Sequence, residues 1–136
     1  MQGRGKQGVK MTDNKPIVAL LVEDNPGDAT LIRTMLRSKD GIFQLRHVTS
    51  LSKGLEQLQQ GDIDVVLLDL DLPDSKGLET LLRAHAKAPH TPIIVITGLA
   101  EKEVAVRALN QGARDFFAKE FLEQQLLTGA IQRAIG

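Results

Sequence analysis

Cysteine, tryptophan and tyrosine are absent from this 136-residue chain, and four Phe supply all of its aromatic content. Without Cys there is no disulfide framework, thiolate zinc site or cysteine nucleophile. Without Trp or Tyr, the rings that would stack a flavin are missing. His47, His85 and His90 are scattered, and Pro89 stands between the last two, which argues against a histidine metal cluster. An excess of charge is lacking too, with 17 Lys+Arg against 17 Asp+Glu. That balance excludes holding nucleic acid or an anionic membrane by bulk charge. The longest apolar run, residues 17–22, is far too short to span a bilayer, and no apolar secretory segment opens the chain. What is present is 42% apolar residues in a length suited to one domain, enough to bury roughly two-thirds of the unfolded surface. A soluble, cytoplasmic domain is expected.

Residues 1–15 read as a flexible tail or expression remnant, with Met11 an alternative start, and residues 16–136 as the domain. The stretch Gly3-Arg4-Gly5-Lys6-Gln7-Gly8 matches G-x-G-x-x-G literally, but it has neither a strand before it nor a helix after it and is rejected as a dinucleotide site. Residues 1–16 carry four basic side chains and one acidic, which leaves 13 against 16 in residues 17–136. The overall neutrality therefore hides a mildly acidic domain.

From Pro16 onward, strand and helix patterns alternate. Residues 17–22 form a continuous apolar run, as expected for a strand buried on both faces of a parallel sheet. Pro26 opens a helix marked by Ile32, Met35 and Leu36 and ending near Gly41. A weaker strand over 42–48 precedes a helix with Leu51, Leu55 and Leu58, stopped by Gly61. Strand 63–68 leads into the loop 69–74, then a helix whose face is Leu78, Leu81, Leu82 and His85, ended by Pro89. Pro92 opens strand 93–96; Val104, Ala105, Ala108 and Leu109 give a helix closed by Gly112. A short strand over 115–118 precedes a helix lined by Leu127, Ile131 and Ile135. Five strand–helix repeats with right-handed crossovers make one doubly wound α/β domain, a parallel sheet with helices on both faces. All strand carboxyl ends then open on one edge, where ligands bind.

That edge would collect Glu23-Asp24 from the first strand, Asp69 from the third, Thr97 from the fourth and Lys119 from the fifth, with Asp71 and Asp74 close by. Singly, each has a plain structural explanation: a cap, a turn former, a satisfied hydroxyl, a surface charge. Together they match phosphoryl transfer. Carboxylates gathered at one point call for a cation, and magnesium is hard, oxygen-seeking and commonly held by carboxylates and waters. A carboxylate is also a known nucleophile toward phosphoryl groups. An ammonium and a hydroxyl, Lys119 and Thr97, would neutralise charge on the transferred group.

Four stretches, LLVEDNPGDA at 20–29, LLDLDLPDSKGLE at 67–79, PIIVITG at 92–98 and GARDFFAK at 112–119, carry a resemblance over about residues 16–136. The sequence resembles the receiver domain of two-component response regulators. The resemblance implies the strand order 2-1-3-4-5 and a phosphoryl group accepted by Asp69 from a phosphohistidine on a sensor kinase or phosphotransfer protein. Asp24 and Asp69 would bind Mg2+, with Glu23 acting directly or through a water and the Asp71 backbone carbonyl completing the set. Lys119 would pair with the phosphoryl group, Thr97 would move to it, and Phe116 would turn inward behind Thr97. The output would be a changed surface on the fourth helix, fifth strand and fifth helix, which also allows a homodimer; no direct nucleic acid binding is implied.

Three positions depart from the family pattern. Glu120 follows Lys119 where Pro is common, and the cost of a non-proline cis bond, about 2.5–4 kcal/mol, leads us to expect trans. Phe116 stands for the commoner Tyr, and Gly98 for a frequent Ala. Leu99 is apolar and cannot orient an attacking water, so slow self-dephosphorylation is expected. Competing readings are an aspartate-dependent phosphohydrolase of the haloacid dehalogenase type, suggested by Asp69-Leu70-Asp71, a flavodoxin-like cofactor binder, and a receiver-shaped module not controlled by phosphate. Whether the chain is a stand-alone receiver or part of a longer regulator stays open.

Overall fold

Alternate residues of the first strand serve two different cores. In β1 (Ile17–Val22), Leu20 and Val22 join one apolar cluster and Ala19 and Leu21 the other, which is why the run shows no polar alternation. The structure, a computed structural model, describes residues 15–37, 41–98 and 102–136. The expected tail, Lys15 apart, and Leu99 lie outside the described residues.

After β1 come α1 (Pro26–Leu36), β2 (Phe43–Val48), α2 (Leu51–Gln60), β3 (Val65–Leu68), α3 (Leu78–Lys87), β4 (Ile93–Thr97), α4 (Lys102–Asn110), β5 (Asp115–Ala118) and α5 (Gln124–Ile135). The sheet runs β2-β1-β3-β4-β5, every pair parallel, so the order 2-1-3-4-5 holds. On one face Leu20, Val66, Leu68, Ile93 and Val95 pack against Leu51 and Leu58 of α2, Leu81 and Ala84 of α3 and Ala108 of α4. On the other, Leu21, Leu67, Ile94 and Ile96 pack against Ala29, Ile32 and Leu36 of α1 and Leu127, Ala130 and Ile131 of α5. Among the described residues no helix is long and apolar enough to cross a membrane.

Four expectations about the elements need correction. Leu82 and Leu109, placed on buried faces, are each 42% exposed. In α3 the buried stripe takes Thr80 and Ala84 with Leu81, because the buried Thr80 hydroxyl has a partner in Ser75 Oγ at 2.7 Å. With Thr80 satisfied, the helix turns its smaller residues inward and Leu82 falls outside the stripe. The third strand starts at Val65 rather than Ile63: the Asp64 side chain takes the Val18 N–H at 2.8 Å, which strand pairing would otherwise use. The first helix ends at Leu36, short of Gly41, where the Arg37 N–H donates back to Arg33 and Thr34.

The loop after β3 is folded into a two-residue ribbon, Asp71–Leu72 against Ser75–Lys76. Asp74 at its turn belongs to the start of α2, not to the acidic group at the sheet edge: its oxygens accept the N–H groups of Leu51 and Ser52 at 2.9 Å each. Ser50 accepts the next, from Lys53. Desolvation works to raise the exposed Asp74 carboxyl, but the Ser52 and Leu51 amides, with its own backbone N–H and the nearby Arg83, outweigh it and hold it below its ordinary value of 3.8. Asp74→Ala should therefore cost about 1 kcal/mol in urea unfolding at pH 7, as for a lost helix cap. A depressed carboxyl contributes stability above its unfolded value, so this difference should be full above pH 3.8 and shrink as the pH falls further.

Candidate functional site

Five strands ending at one edge bring the separated motifs together. Glu23 and Asp24 follow β1, Asp69 follows β3, Thr97 is the last residue of β4, and Lys119 follows β5 in a short 3-10 turn over 119–121. One carboxylate oxygen from each of Glu23, Asp24 and Asp69 lies within 4.8 Å of the others. Glu23 is 1% exposed and Asp69 3%, whereas Asp24 is exposed at the rim.

Asp69 is held by three donors. Its Oδ1 accepts the Asp71 N–H at 3.1 Å and the Thr97 hydroxyl at 3.2 Å, and its Oδ2 accepts from Lys119 Nζ at 3.0 Å. Thr97 thus already reaches the expected acceptor. Lys119 also donates to Asp28 Oδ2 at 2.9 Å and stands 2.8 Å from Glu23 Oε1. Burial alone would pull this ammonium down, but Glu23, Asp28 and Asp69 outweigh it and push it above the ordinary lysine value.

Glu23 is the strained partner. Its Oε2 accepts the Asn25 N–H at 3.1 Å, while the buried Oε1 faces the Lys119 ammonium at 2.8 Å. Burial pushes the carboxyl up to about 7; Lys119 opposes that rise, and the neighbouring Asp69 adds to it. His47 Nε2 lies 2.8 Å from the Glu23 carbonyl oxygen, which can only accept, so the proton sits on Nε2. Nδ1 faces the Arg33 guanidinium at 3.4 Å.

The buried Glu23 carboxylate, flanked by those of Asp24 and Asp69, makes an all-oxygen anionic donor set of the kind a hard divalent cation prefers. Asp71 turns its side chain outward to Lys76 Nζ at 2.6 Å. Phe116 does not join the polar group; partly buried, it packs against the cluster containing Leu68 and Val95. The helix after the acidic pair is capped by Asn25, whose side chain accepts the Asp28 N–H, so neither Glu23 nor Asp24 is spent as a cap.

Sequence reasoning missed Asp28. A signal existed, since Asp28 sits in the first turn of the helix that begins directly after the acidic pair, beside the buried Ala29. His47 gave no signal: its site partner lies 24 residues away along the chain.

Comparisons with known proteins place the chain in a family. The response regulator receiver domain pattern matches residues 19–131. Over 108 residues the chain is 35% identical to the cell cycle response regulator CtrA of Brucella ovis, covering 79% of this chain and 46% of that protein. The chain thus spans about half the length of the curated relatives it matches. Among solved structures it resembles the receiver domain of sensor histidine kinase PA1611 from Pseudomonas aeruginosa, which has a magnesium ion coordinated in its active site cleft. That likeness has a TM-score of 0.76 at 28% identity and covers 90% of this chain and 99% of the other. A receiver domain from Bacteroides fragilis gives a TM-score of 0.79 at 25% identity, over 90% and 98% of the two chains. The chain belongs to the response regulator receiver domain family.

Proposed function

We propose that Asp69 accepts a phosphoryl group from a phosphohistidine on a sensor histidine kinase or phosphotransfer protein. An Asp69 carboxylate oxygen attacks phosphorus, the P–N bond breaks, and the imidazole nitrogen leaves with the electron pair and takes up a proton. The carrying observation is the geometry of Asp69: a nearly buried carboxylate fixed by the Asp71 amide, the Thr97 hydroxyl and the Lys119 ammonium. Glu23, Asp24, Asp69 and the Asp71 backbone carbonyl would hold Mg2+, which supplies charge neutralisation for the transferred oxygens. Lys119 and Thr97 would bind those oxygens once they arrive. Because Thr97 ends β4 and Phe116 lies on the adjacent β5, paired Val95 to Phe116, a shift of Thr97 toward the phosphoryl group would be passed to Phe116. The surface of α4, β5 and α5, free or paired in a homodimer, would change with it. A cytoplasmic location suits a kinase partner of this kind.

Intact-mass measurement after acetyl phosphate treatment tests the assignment. One phosphoryl adduct is expected on the wild type with magnesium, none in EDTA, and none on Asp69→Asn. An equal adduct on Asp69→Asn would place the acceptor elsewhere.

A further inference from the structure

Lys119 is shared with a carboxylate that the reaction above does not use. The ammonium nitrogen stands within 3.0 Å of three carboxylate oxygens, Glu23 Oε1, Asp28 Oδ2 and Asp69 Oδ2, one for each of its N–H groups. The Glu23 and Asp69 side chains are 1% and 3% exposed, but that of Asp28 is 35% exposed and stands at the mouth of the site. Asp28 is anchored there. Its N–H donates to Asn25 Oδ1 at 2.9 Å, and it lies in the first turn of α1, where the positive helix end favours an anion.

We propose that Asp28 is a positioning residue that holds the Lys119 ammonium in the resting domain and competes with the incoming phosphoryl group for it. The proposal rests on Asp69 being the phosphoacceptor. An ammonium has three N–H donors and no more. To grip a phosphoryl oxygen, Lys119 must turn a donor away from a carboxylate. Releasing Glu23 or Asp69 would leave a buried anion short of a partner, which is costly. Releasing Asp28 is cheap, because water replaces the lost bond at its exposed side chain. The exchange therefore occurs at Asp28. Until it does, Asp28 occupies the donor that the phosphoryl group needs. This raises the barrier to capturing the phosphodonor but leaves the attack by Asp69 on bound donor unchanged.

The test is the acetyl phosphate dependence of Asp69 phosphorylation in saturating magnesium, followed by intact mass for wild type, Asp28→Ala, Asp28→Asn and Asp28→Glu. The apparent second-order rate constant should rise about fivefold in Asp28→Ala, the size expected for one partly exposed ion contact, while the plateau rate stays within about twofold. Asp28→Asn should gain less, since its amide oxygen still accepts from Lys119, and Asp28→Glu should stay near wild type. Asp28→Asn also keeps the side-chain shape, so the comparison survives if Asp28→Ala folds poorly. A merely structural loss at the helix start would lower the melting temperature without speeding capture. Unchanged or slower capture in both neutral variants, or a change confined to the plateau rate, would overturn the proposal. So would a gain that disappears in about 0.5 M sodium chloride, where charges act over only ~4 Å, because Asp28 would then act by long-range repulsion alone. If the wild type takes up no magnesium-dependent phosphoryl group, the assignment of Asp69 fails and this proposal falls with it.

Discussion

Lys119→Met should lower the unfolding free energy at pH 8 by about 3 kcal/mol when divalent cations are chelated, the scale seen on removing one partner of a buried ion pair. Methionine matches the length of the lysine stem, so packing is largely kept and the loss is electrostatic. What remains is Glu23 and Asp69, nearly buried and facing each other without a cation. Protons can take over part of the role of the ammonium. Glu23 is already pushed up to about 7 with Lys119 opposing that rise, and without Lys119 it moves higher still. The deficit measured by urea unfolding should accordingly shrink between pH 8 and pH 5. Magnesium should raise the melting temperature of Lys119→Met more than that of the wild type, because a cation then enters a site with no ammonium to compete with. A loss below about 1 kcal/mol at pH 8, the worth of a surface pair, would contradict this electrostatic account of the site.

The apolar runs of β1, β3 and β4 were readable because strands buried on both faces cannot alternate with polar residues, and the strand ends located Glu23, Asp24, Asp69, Thr97 and Lys119 without further information. Five repeats of that pattern leave few topologies once crossovers are right-handed. What the sequence concealed has two physical origins. Helical periodicity gives the direction of a buried face but not its width. Leu82 and Leu109 were placed inward by spacing, and the structure leaves them exposed while Leu81, Ala84 and Ala108 pack in the core. The polar contacts, in turn, join residues distant along the chain: Asp28 meets Lys119 across 91 positions and Asp74 meets Leu51 across 23. Local spacing carries no record of such partners. Asp74, grouped by proximity with the acidic edge, is therefore a helix cap, while Asp28, assigned no role, stands against Lys119.

Glu23→Gln should stabilise the domain in EDTA at pH 8 by about 3 kcal/mol, following from a carboxyl raised from 4.5 to about 7 at 1.36 kcal/mol per unit. The sign follows from linkage. Below pH 4.5 the carboxyl is protonated in both folded and unfolded chains and contributes no penalty. Between pH 4.5 and 7 the unfolded chain releases the proton while the folded chain retains it, so wild-type stability falls as the pH rises through this window and then levels off. Glutamine has no proton to release, and its curve should lack that fall. The two proteins should therefore converge near pH 4 and separate toward pH 8, as read from melting temperatures across the range. Magnesium should reverse the order at pH 8, since glutamine removes an anionic oxygen from the donor set that Glu23, Asp24 and Asp69 offer. Parallel curves, with no convergence at low pH, would mean that burial of Glu23 carries no electrostatic cost. Convergence without reversal would mean that Glu23 is strained for some reason other than a divalent cation. The expected pair of results would tie the cost of burying Glu23, whose carboxyl is pushed up to about 7, to the cation that this donor set would hold.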